Sequence, residues 1–567
     1  MIRKLITIIS SFIVVIYFIQ ISVASTSAAY TFPLKKSSNN RYFVDQNNQP
    51  FFINGDTPWS LIGQVSKTDA DYYLNDAKNK GINNITVTLV EGYYADQAPA
   101  NKDGTIPFNT PNKFSTPNSA YFDHADSVIS KAASLGIHVM IAPLYLGCCS
   151  DGWWDALSNN TTTDMQTYGT FIGNRYKNIP NIMYVWINDR NPCGPDGSTS
   201  TSCTQRGKIK AMIEAVKAAD PNHLHTYHFS PETSPLELAN NGIWYPWDPA
   251  KDVNITYTYN AVQDRVLADY NRRYNGNPEP FFLFESKYEN EHGSPPLQQR
   301  KQAYNAVLSG SSGHQYGNNP IWYMGSTKGW APWSSDWKGA LNDEARADLI
   351  YVKNLFESRS WFTLIPDQNH TVLTNGYSSG DSFAGAAQTQ DKSTLIIYTP
   401  TSRSLTVNLT NMSGTQSKAF WFNPTNGSAT LIGTYNNTLT SQSFTSNGES
   451  VLVIDDASKN YPAPGGGTII PTITSSPTST PIPTNTPTKA PTATPTRSYT
   501  PTPSLNRPCQ LIGDTANPTC NNRVDVLDFS FLSSKFNTNT KEADLDSNGS
   551  VNVLDYTVLA NNFGKSI

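Results

Sequence analysis

Apolar positions in the first 358 residues follow two alternating rhythms. Short, largely apolar runs occupy 50–56, 84–90, 137–144, 182–189, 224–230, 253–260, 280–286 and, more briefly, 313–317. Between most of them apolar residues recur at helical spacing, over 69–80, 122–135, 165–176, 206–219, 261–274 and 297–308, with a last helix at 343–357. Short runs bounded by turn residues read as strands. Strands that alternate with helices pair in parallel, because each helix returns the chain to the same end of the sheet. Eight such units over roughly 330 residues predict an α/β fold, a (β/α) eight-fold TIM barrel, over 30–358. The fifth helix is the faintest, and 231–247 reads mostly as loop.

From 361 to 456 the helical period vanishes. Strand-like runs at 393–398, 405–409, 418–422, 429–432 and 450–454 are separated by Gly, Asn and Pro turns, which predicts an all-β antiparallel sandwich. Residues 457–507 are dominated by Pro, Thr and Ser. Such a composition cannot bury a core and favours extended chain, so it predicts a disordered, semi-rigid Pro/Thr-rich linker. The last segment, 508–567, holds an internal repeat. Arg523-Val-Asp-Val-Leu-Asp-Phe matches Ser550-Val-Asn-Val-Leu-Asp-Tyr, and each copy predicts a loop end followed by one amphipathic helix in a small α-helical domain.

Residues 1–28 read as a signal peptide. Arg3 and Lys4 precede a nearly unbroken apolar run from Leu5 to Ile21, and Ser22-Val23-Ala24 or Ala28 offers the small-residue cleavage site. The expected location is secreted, extracellular, where disulfides persist, with a cell-surface or scaffold-bound complex as its destination and no membrane span in the mature chain. The six cysteines fall in close pairs. Cys193 with Cys203 and Cys509 with Cys520 are the simplest bridges, while Cys148 and Cys149 either form a vicinal bridge or stay thiols. Only 15% of the residues are charged, and 41 Lys+Arg against 45 Asp+Glu leave a net charge of -4. That lacks the basic excess of a nucleic-acid binder. The 12 Trp, 29 Tyr and 24 Phe supply flat apolar faces suited to sugar rings as well as to a core.

In the tail, Asp544, Asp546, Asn548, Asn552 and Asp555 stand at positions 1, 3, 5, 9 and 12 of a loop with Gly549 at 6 and the Ser550 carbonyl at 7. A hard cation needs six to eight oxygens brought round by a tight glycine turn, so this spacing predicts Ca2+. Asp stands where Glu is usual at the last position. The first repeat is longer, with Asp514, Asp525 and Asp528 as candidate ligands; there Cys509–Cys520 can hold the loop instead. Paired calcium loops, each with one helix, after a Pro/Thr tether resemble a type I dockerin. That resemblance implies docking onto the cohesin domain of a scaffold protein, with Val526-Leu527 and Val553-Leu554 close to the positions that set partner choice.

In barrels of this kind function sits at the C-terminal strand ends. Asp189 ends strand four and Glu285 ends strand seven, on opposite sides of the mouth. Two carboxylates so placed can flank a glycosidic bond, one protonating the leaving oxygen and the other attacking the anomeric carbon. Five stretches together look like the apiosidase-like glycoside hydrolases. They are Phe52-Ile-Asn-Gly-Asp56-Thr-Pro-Trp59, Asn181 to Pro192, Glu285-Ser-Lys-Tyr-Glu289, Gly313-His-Gln-Tyr-Gly-Asn318 and Trp361 to Asp367. The stretch Ala419-Phe-Trp-Phe-Asn-Pro424 resembles the collagen-binding-type sandwich that accompanies this barrel. The resemblance implies Asp189 as acid/base and Glu285 as nucleophile of a retaining mechanism without a catalytic cofactor, and plant cell-wall glycans of pectin type as substrate. Ile187-Asn188 stands where relatives carry Gly-Gly, so Asn188 is expected to bond a sugar hydroxyl beside the acid. Asp56, Trp59, His228, Tyr257, His314 and Tyr316 are further candidate sugar contacts at the mouth. Tyr288 is another, and with Glu289 it is expected to support Glu285. Trp153, Trp154, Trp244 and Trp330 are loop aromatics placed to serve as sugar platforms.

No His-Glu-x-x-His run, phosphate loop or dinucleotide fingerprint appears at a strand–helix junction. The alternative to a secreted glycoside hydrolase is a non-catalytic polysaccharide-binding or scaffold-associated protein, and the carboxylate pair discriminates between them.

Overall fold

A computed structural model of the chain describes residues 30–148, 151–190, 205–240, 252–467, 514, 523–524, 526–536, 538–545 and 549–562. The expected signal peptide, most of the Pro/Thr linker, Trp244, five of the six cysteines, Asp525, Asp546 and Asn548 lie outside them. The chain divides into two units, 1–474 and 475–567.

The first unit is built round eight parallel strands: β1 (Ile53–Asp56), β2 (Asn84–Thr88), β3 (His138–Ala142), β4 (Ile182–Ile187), β5 (His225–His228), β6 (Asn254–Tyr257), β7 (Phe281–Glu285) and β8 (Gly313–Tyr316). Their order in the sheet is β5-β4-β3-β2-β1-β8-β7-β6. The ring is joined across its seam by the Asp252 and Val253 N–H groups, which donate to the His225 carbonyl at 2.9 and 3.2 Å. The intervening helices are α1 (Lys67–Asn79), α2 (Ser119–Ser134), α3 (Thr162–Tyr176), α4 (Arg206–Ala219), α5 (Pro235–Asn240), α6 (Val262–Asn271), α7 (Pro296–Leu308) and α8 (Glu344–Glu357). The faint fifth helix proves to be the short α5.

The strands read as continuous apolar runs because both faces are buried. Met140, Met183, Val185, Ile255, Phe282 and Phe284 fill the barrel. Their neighbours Val139, Ile141, Tyr184 and Trp186 pack outward against the helices. Helix starts follow the local sequence. Thr161 and Asp164 form a capping box at α3, and Ser66 accepts the Asp69 N–H at α1. On α4, Ile209, Met212, Ile213 and Val216 recur at helical spacing and are all buried. The predicted strand at 50–56 divides in two. Pro50–Phe51 pairs with Phe43–Val44, which pairs with Lys35–Lys36, in a small antiparallel sheet. Its Phe43 and Phe51 join the inner barrel cluster, so this sheet closes the N-terminal end.

The sandwich follows in the same unit: β9 (Leu364–Pro366), β10 (Leu373–Asn375), β11 (Ala386–Thr389), β12 (Thr394–Thr399), β13 (Ser404–Val407), β14 (Gln416–Phe422), β15 (Ala429–Asn436), β16 (Gln442–Thr445) and β17 (Ser450–Asp456). A six-stranded sheet, β9-β11-β12-β17-β14-β15, faces a three-stranded one, β10-β13-β16. Leu395, Ile397, Leu405, Val407, Leu452 and Ile454 fill the space between. The outer side of the large sheet packs on the barrel through Ile396, Tyr398 and Val453 against Tyr304 and Phe356. Arg359 reinforces this contact, donating through Nε and Nη2 to Asp455 at 2.9 and 2.7 Å.

In the second unit α9 (Val526–Ser534) and α10 (Val553–Asn562) share a small core of Val524, Leu532, Leu545, Val551 and Leu559. No helix among the described residues is long and apolar enough to cross a membrane.

Candidate active site

At the C-terminal ends of the strands lies an open cavity. Trp59, Tyr94, Tyr145, His228, Tyr259, Tyr288, Trp322 and Trp330 give it aromatic walls, and Thr88 lies between them. Its charged lining consists of four carboxylates, Glu91, Asp189, Glu285 and Glu291, with no lysine or arginine among the lining residues.

Glu285 reaches the cavity through a departure from the pleat. In β7, Phe282 and Phe284 point inward, while Phe281 and Leu283 pack outward with Val262 and Val266 of α6. The two-residue repeat would send Glu285 outward too. A bulge prevents this: Leu283 pairs with Thr256 and Glu285 with the next residue, Tyr257, leaving Phe284 unopposed. A bulge of this kind re-aims the side chain that follows it. The Glu285 carboxylate then accepts the Tyr259 hydroxyl at 2.9 Å through Oε1. His228 Nε2 stands 3.1 Å from Oε2, too oblique for a good hydrogen bond. The His228 ring is held between Trp59, stacked at 5.8 Å, and Phe284, at 4.6 Å.

Asp189 reaches the same cavity through a different departure. Ile187, Asn188 and Asp189 all have positive φ, at 77°, 63° and 58°. For a β-branched residue this is a strained conformation, costing on the order of 1–3 kcal/mol. Neighbours hold it in place. The Leu146 N–H donates to the Ile187 carbonyl at 3.0 Å, and the Asp189 N–H donates to His228 O at 3.1 Å. Burial, and after it the Glu285 carboxylate, push the Asp189 carboxyl well above the ordinary carboxylate range. The Tyr257 hydrogen bond and Arg190 act in the opposite sense without outweighing them.

Two tyrosine hydroxyls span the gap between the acids. Tyr257 Oη lies 3.0 Å from Asp189 Oδ1 and 3.3 Å from Tyr259 Oη, which bonds Glu285. On the other side Trp59 Nε1 donates to Tyr288 Oη at 2.9 Å. The Tyr288 ring lies flat on Gly317, where a Cβ would come within 2.3 Å of it.

Of the residues singled out in the sequence, Trp59, Asp189, His228, Glu285 and Tyr288 line the cavity. Tyr257 stands behind it, bonded to Asp189 rather than lining it. Four others require correction. Asp56 faces the helices, where Oδ2 accepts Tyr73 Oη at 2.7 Å and Arg346 Nε at 2.9 Å. Tyr316 and His314 share that outer face, being in register with Asp56 and Asn54. Tyr316 bonds Glu289, and burial holds the His314 imidazole neutral, its pKa lowered to about 3. On β8 it is Gln315 that points inward, to Thr86 at 3.0 Å. Asn188 is fully buried and donates to Leu144 O at 3.3 Å, out of reach of the cavity. Among the loop aromatics Trp330 lines the mouth, whereas Trp153 is buried with Nε1 on Val90 O and Trp154 lies under Arg190.

Sequence reasoning missed Glu91 and Glu291. Glu91 follows β2, where a barrel-end position could have flagged it, and it braces its loop by accepting Ser60 Oγ and the Tyr93 and Tyr94 N–H groups. Glu291 accepts Trp322 Nε1 at 2.7 Å; burial raises its pKa, and Glu285 adds to this.

A family profile described as "Apiosidase-like, catalytic domain" matches residues 37–363. The chain belongs to the apiosidase-like family. This apiosidase-like chain is a glycosidase. A second profile, "Putative collagen-binding domain of a collagenase", matches residues 365–455. Among solved structures, one titled "Glycoside hydrolase" is 25% identical, with a TM-score of 0.64 over 76% of this chain and 98% of its own. A glycoside hydrolase family 5 structure from Bacteroides vulgatus ATCC 8482 shares the fold at 23% identity and TM-score 0.64, covering 77% of this chain and 96% of its own. No curated protein matches the chain.

In the second unit Asp514, Asp528 and Asp555 are buried. Asp544 Oδ2 accepts the Gly549 N–H at 2.8 Å, and Asp555 accepts the N–H groups of Leu545 and Asn552. Gly549 has φ 91°, as a tight loop turn requires. Among the described residues no three His, Cys, Asp or Glu side chains form a metal-binding group. The described donors of this loop are two aspartates with Ser550 and Asn552, an all-oxygen set suited to a hard cation.

Proposed function

We propose that this apiosidase-like glycosidase is a retaining enzyme that cleaves pectin-type plant cell-wall glycans, with Asp189 as acid/base and Glu285 as nucleophile. The reading rests above all on one observation: Asp189 is pushed toward its protonated form in a cavity it shares with Glu285. A general acid must hold its proton near neutral pH until the leaving oxygen takes it. In the first step Asp189 protonates the glycosidic oxygen while Glu285 attacks the anomeric carbon, giving a covalent glycosyl ester. In the second step Asp189, now ionised, takes a proton from water, which attacks the same carbon and frees Glu285. With four carboxylates and no cation in the lining, the ring held in the cavity is a neutral sugar. Trp59, Trp322 and Trp330 provide its apolar platforms.

The test is a panel of plant cell-wall oligosaccharides offered to the wild-type chain and to Glu285→Gln. Wild type releases product with the anomeric configuration retained, read by NMR at early times, and Glu285→Gln releases none. Equal release by both proteins removes Glu285 from the role. Binding without release by wild type returns the barrel to a non-catalytic polysaccharide grip.

The proposal extends to export of the chain and to delivery by its tail. Asp544, Ser550, Asn552 and Asp555, together with Asp546 and Asn548, would hold Ca2+, which would cross-link the loop and take no part in catalysis. The duplicated motif supports a dockerin-like module that binds a cohesin domain. Capture of the full chain by an immobilised cohesin, lost on chelation and restored by Ca2+, tests this part.

A further inference from the structure

Three contacts form one unbranched line between the two acids: Asp189 Oδ1 to Tyr257 Oη, 3.0 Å; Tyr257 Oη to Tyr259 Oη, 3.3 Å; Tyr259 Oη to Glu285 Oε1, 2.9 Å. Each gap can hold one hydrogen, and each tyrosine supplies one. With both acids ionised there are two hydrogens for three gaps, and the two phenol oxygens face each other with nothing between them. With Asp189 protonated and Glu285 ionised there are three hydrogens for three gaps. Every hydroxyl then donates in one direction, toward the negative charge on Glu285.

We propose that Tyr257 and Tyr259 form a reversible hydroxyl relay that couples the protonation state of Asp189 to the charge on Glu285. The inference rests on the two-carboxylate reading above. Before attack the relay runs from Asp189 to Glu285 and keeps the proton on the acid. Once Glu285 is an ester its charge is gone and Asp189 is ionised. Both tyrosines then turn round, Tyr259 donating to Tyr257 and Tyr257 to the Asp189 carboxylate, as the second step needs. Tyr257 and Tyr259 are positioning residues for this exchange. No O–H bond of Tyr257 or Tyr259 breaks; the Asp189 proton leaves with the glycosidic oxygen, and along the two tyrosines only the direction of donation reverses. Tyr257 is buried, which strengthens its contacts, while Tyr259 stands partly exposed at the mouth.

Other groups also face the two acids. Asp151, Arg190 and Tyr145 act on Asp189, and His228, Tyr145, Tyr288 and Glu291 surround Glu285. Neither tyrosine substitution removes any of these, so the test compares variants against a constant background.

The relay makes an ordered prediction that simple contact does not. Removing Tyr259, which never touches Asp189, frees Tyr257 to donate to the Asp189 carboxylate and favours its ionised form. Removing Tyr257, which does touch it, takes away both options. Because the Tyr257 hydrogen bond favours the ionised form of Asp189, the proton is held to the highest pH in Tyr257→Phe, to a lower pH in wild type and to the lowest in Tyr259→Phe, with about one pH unit separating the extremes. The measurement is difference infrared spectroscopy of the full chain without substrate. The protonated carboxyl stretch of Asp189 is followed against pH and assigned by its loss in Asp189→Asn. In a Tyr257→Phe background, Tyr259→Phe adds no further shift, and near-ultraviolet circular dichroism shows that each variant is folded. An unshifted Tyr259→Phe titration, the reverse order, or a further shift in the double variant overturns the relay. If the order holds and no glycan is cleaved, the relay stands and the hydrolytic reading falls. If glycan is cleaved and the order fails, the relay falls alone.

Discussion

Arg346 Nε donates to Asp56 Oδ2 across 2.9 Å, and both side chains are completely shielded from solvent. Arg346 comes from α8 and Asp56 from the end of β1, so the pair ties the last helix of the barrel to its first strand. Tyr73 and the backbone N–H of Thr57 complete the shell of the carboxylate.

Losing Asp56 leaves the buried Arg346 with Asp76 as its counter-charge and its Nε unpaired, at a cost of roughly 1–3 kcal/mol. Asp56→Ala is therefore expected to lower the midpoint of denaturant unfolding sharply. In the fraction that stays folded, KM is unchanged. A normal midpoint with a raised KM would return Asp56 to the sugar.

Gly317→Ala places a methyl group where the Tyr288 ring lies, 2.3 Å from its Cδ1. The ring must move, and Trp59 Nε1 loses its partner. A fall in kcat/KM on the order of tenfold to a hundredfold is expected, with far-ultraviolet circular dichroism unaltered. Full activity would show that Tyr288 need not hold its place.

Burial lowers the pKa of both His138 and His314 to about 3. Each is expected to titrate near 6.5 when unfolded. Between pH 6.5 and 3 the unfolded chain therefore binds more protons than the folded one. Their neutral burial supports stability fully above pH 6.5 and less as pH falls toward 3. Each contributes on the order of a few kcal/mol to this slope. His314→Asn is expected to flatten the fall in stability over that window, measured by urea unfolding at a series of pH values, while activity at pH 7 persists.

Arg359 and Asp455 form a bidentate ion pair, both buried, where the barrel meets the sandwich. Arg359→Ala strands the Asp455 charge and is expected to cost roughly 3–5 kcal/mol. Because Tyr304 and Phe356 of the barrel pack on Tyr398 and Val453 of the sandwich, the two parts unfold in one transition, visible by calorimetry. Two separated transitions in the wild-type chain would contradict this.

Asp189→Ala removes a proton donor and leaves the cavity otherwise intact. Hydrolysis of a sugar–sugar bond is expected to fall about 10²–10⁴-fold. An aryl glycoside whose leaving group needs no protonation is expected to suffer much less in its first step. A uniform loss on both substrates would assign Asp189 a structural part instead.

The alternation of short apolar runs with helical periods determined the barrel, and the loss of that period after residue 360 determined the sandwich. Those patterns report burial, and burial on both faces of a parallel sheet needs no knowledge of neighbours. Which way a strand-end side chain points was decided only in three dimensions. A pleat repeats every two residues, so one residue of irregularity reverses every assignment beyond it. Asp56, His314 and Tyr316 follow the regular pleat and face the helices. Glu285 is turned inward by a bulge at Phe284, and Asp189 by three left-handed residues. Both irregularities are imposed by packing against neighbouring strands that are remote in sequence, where no local pattern records them.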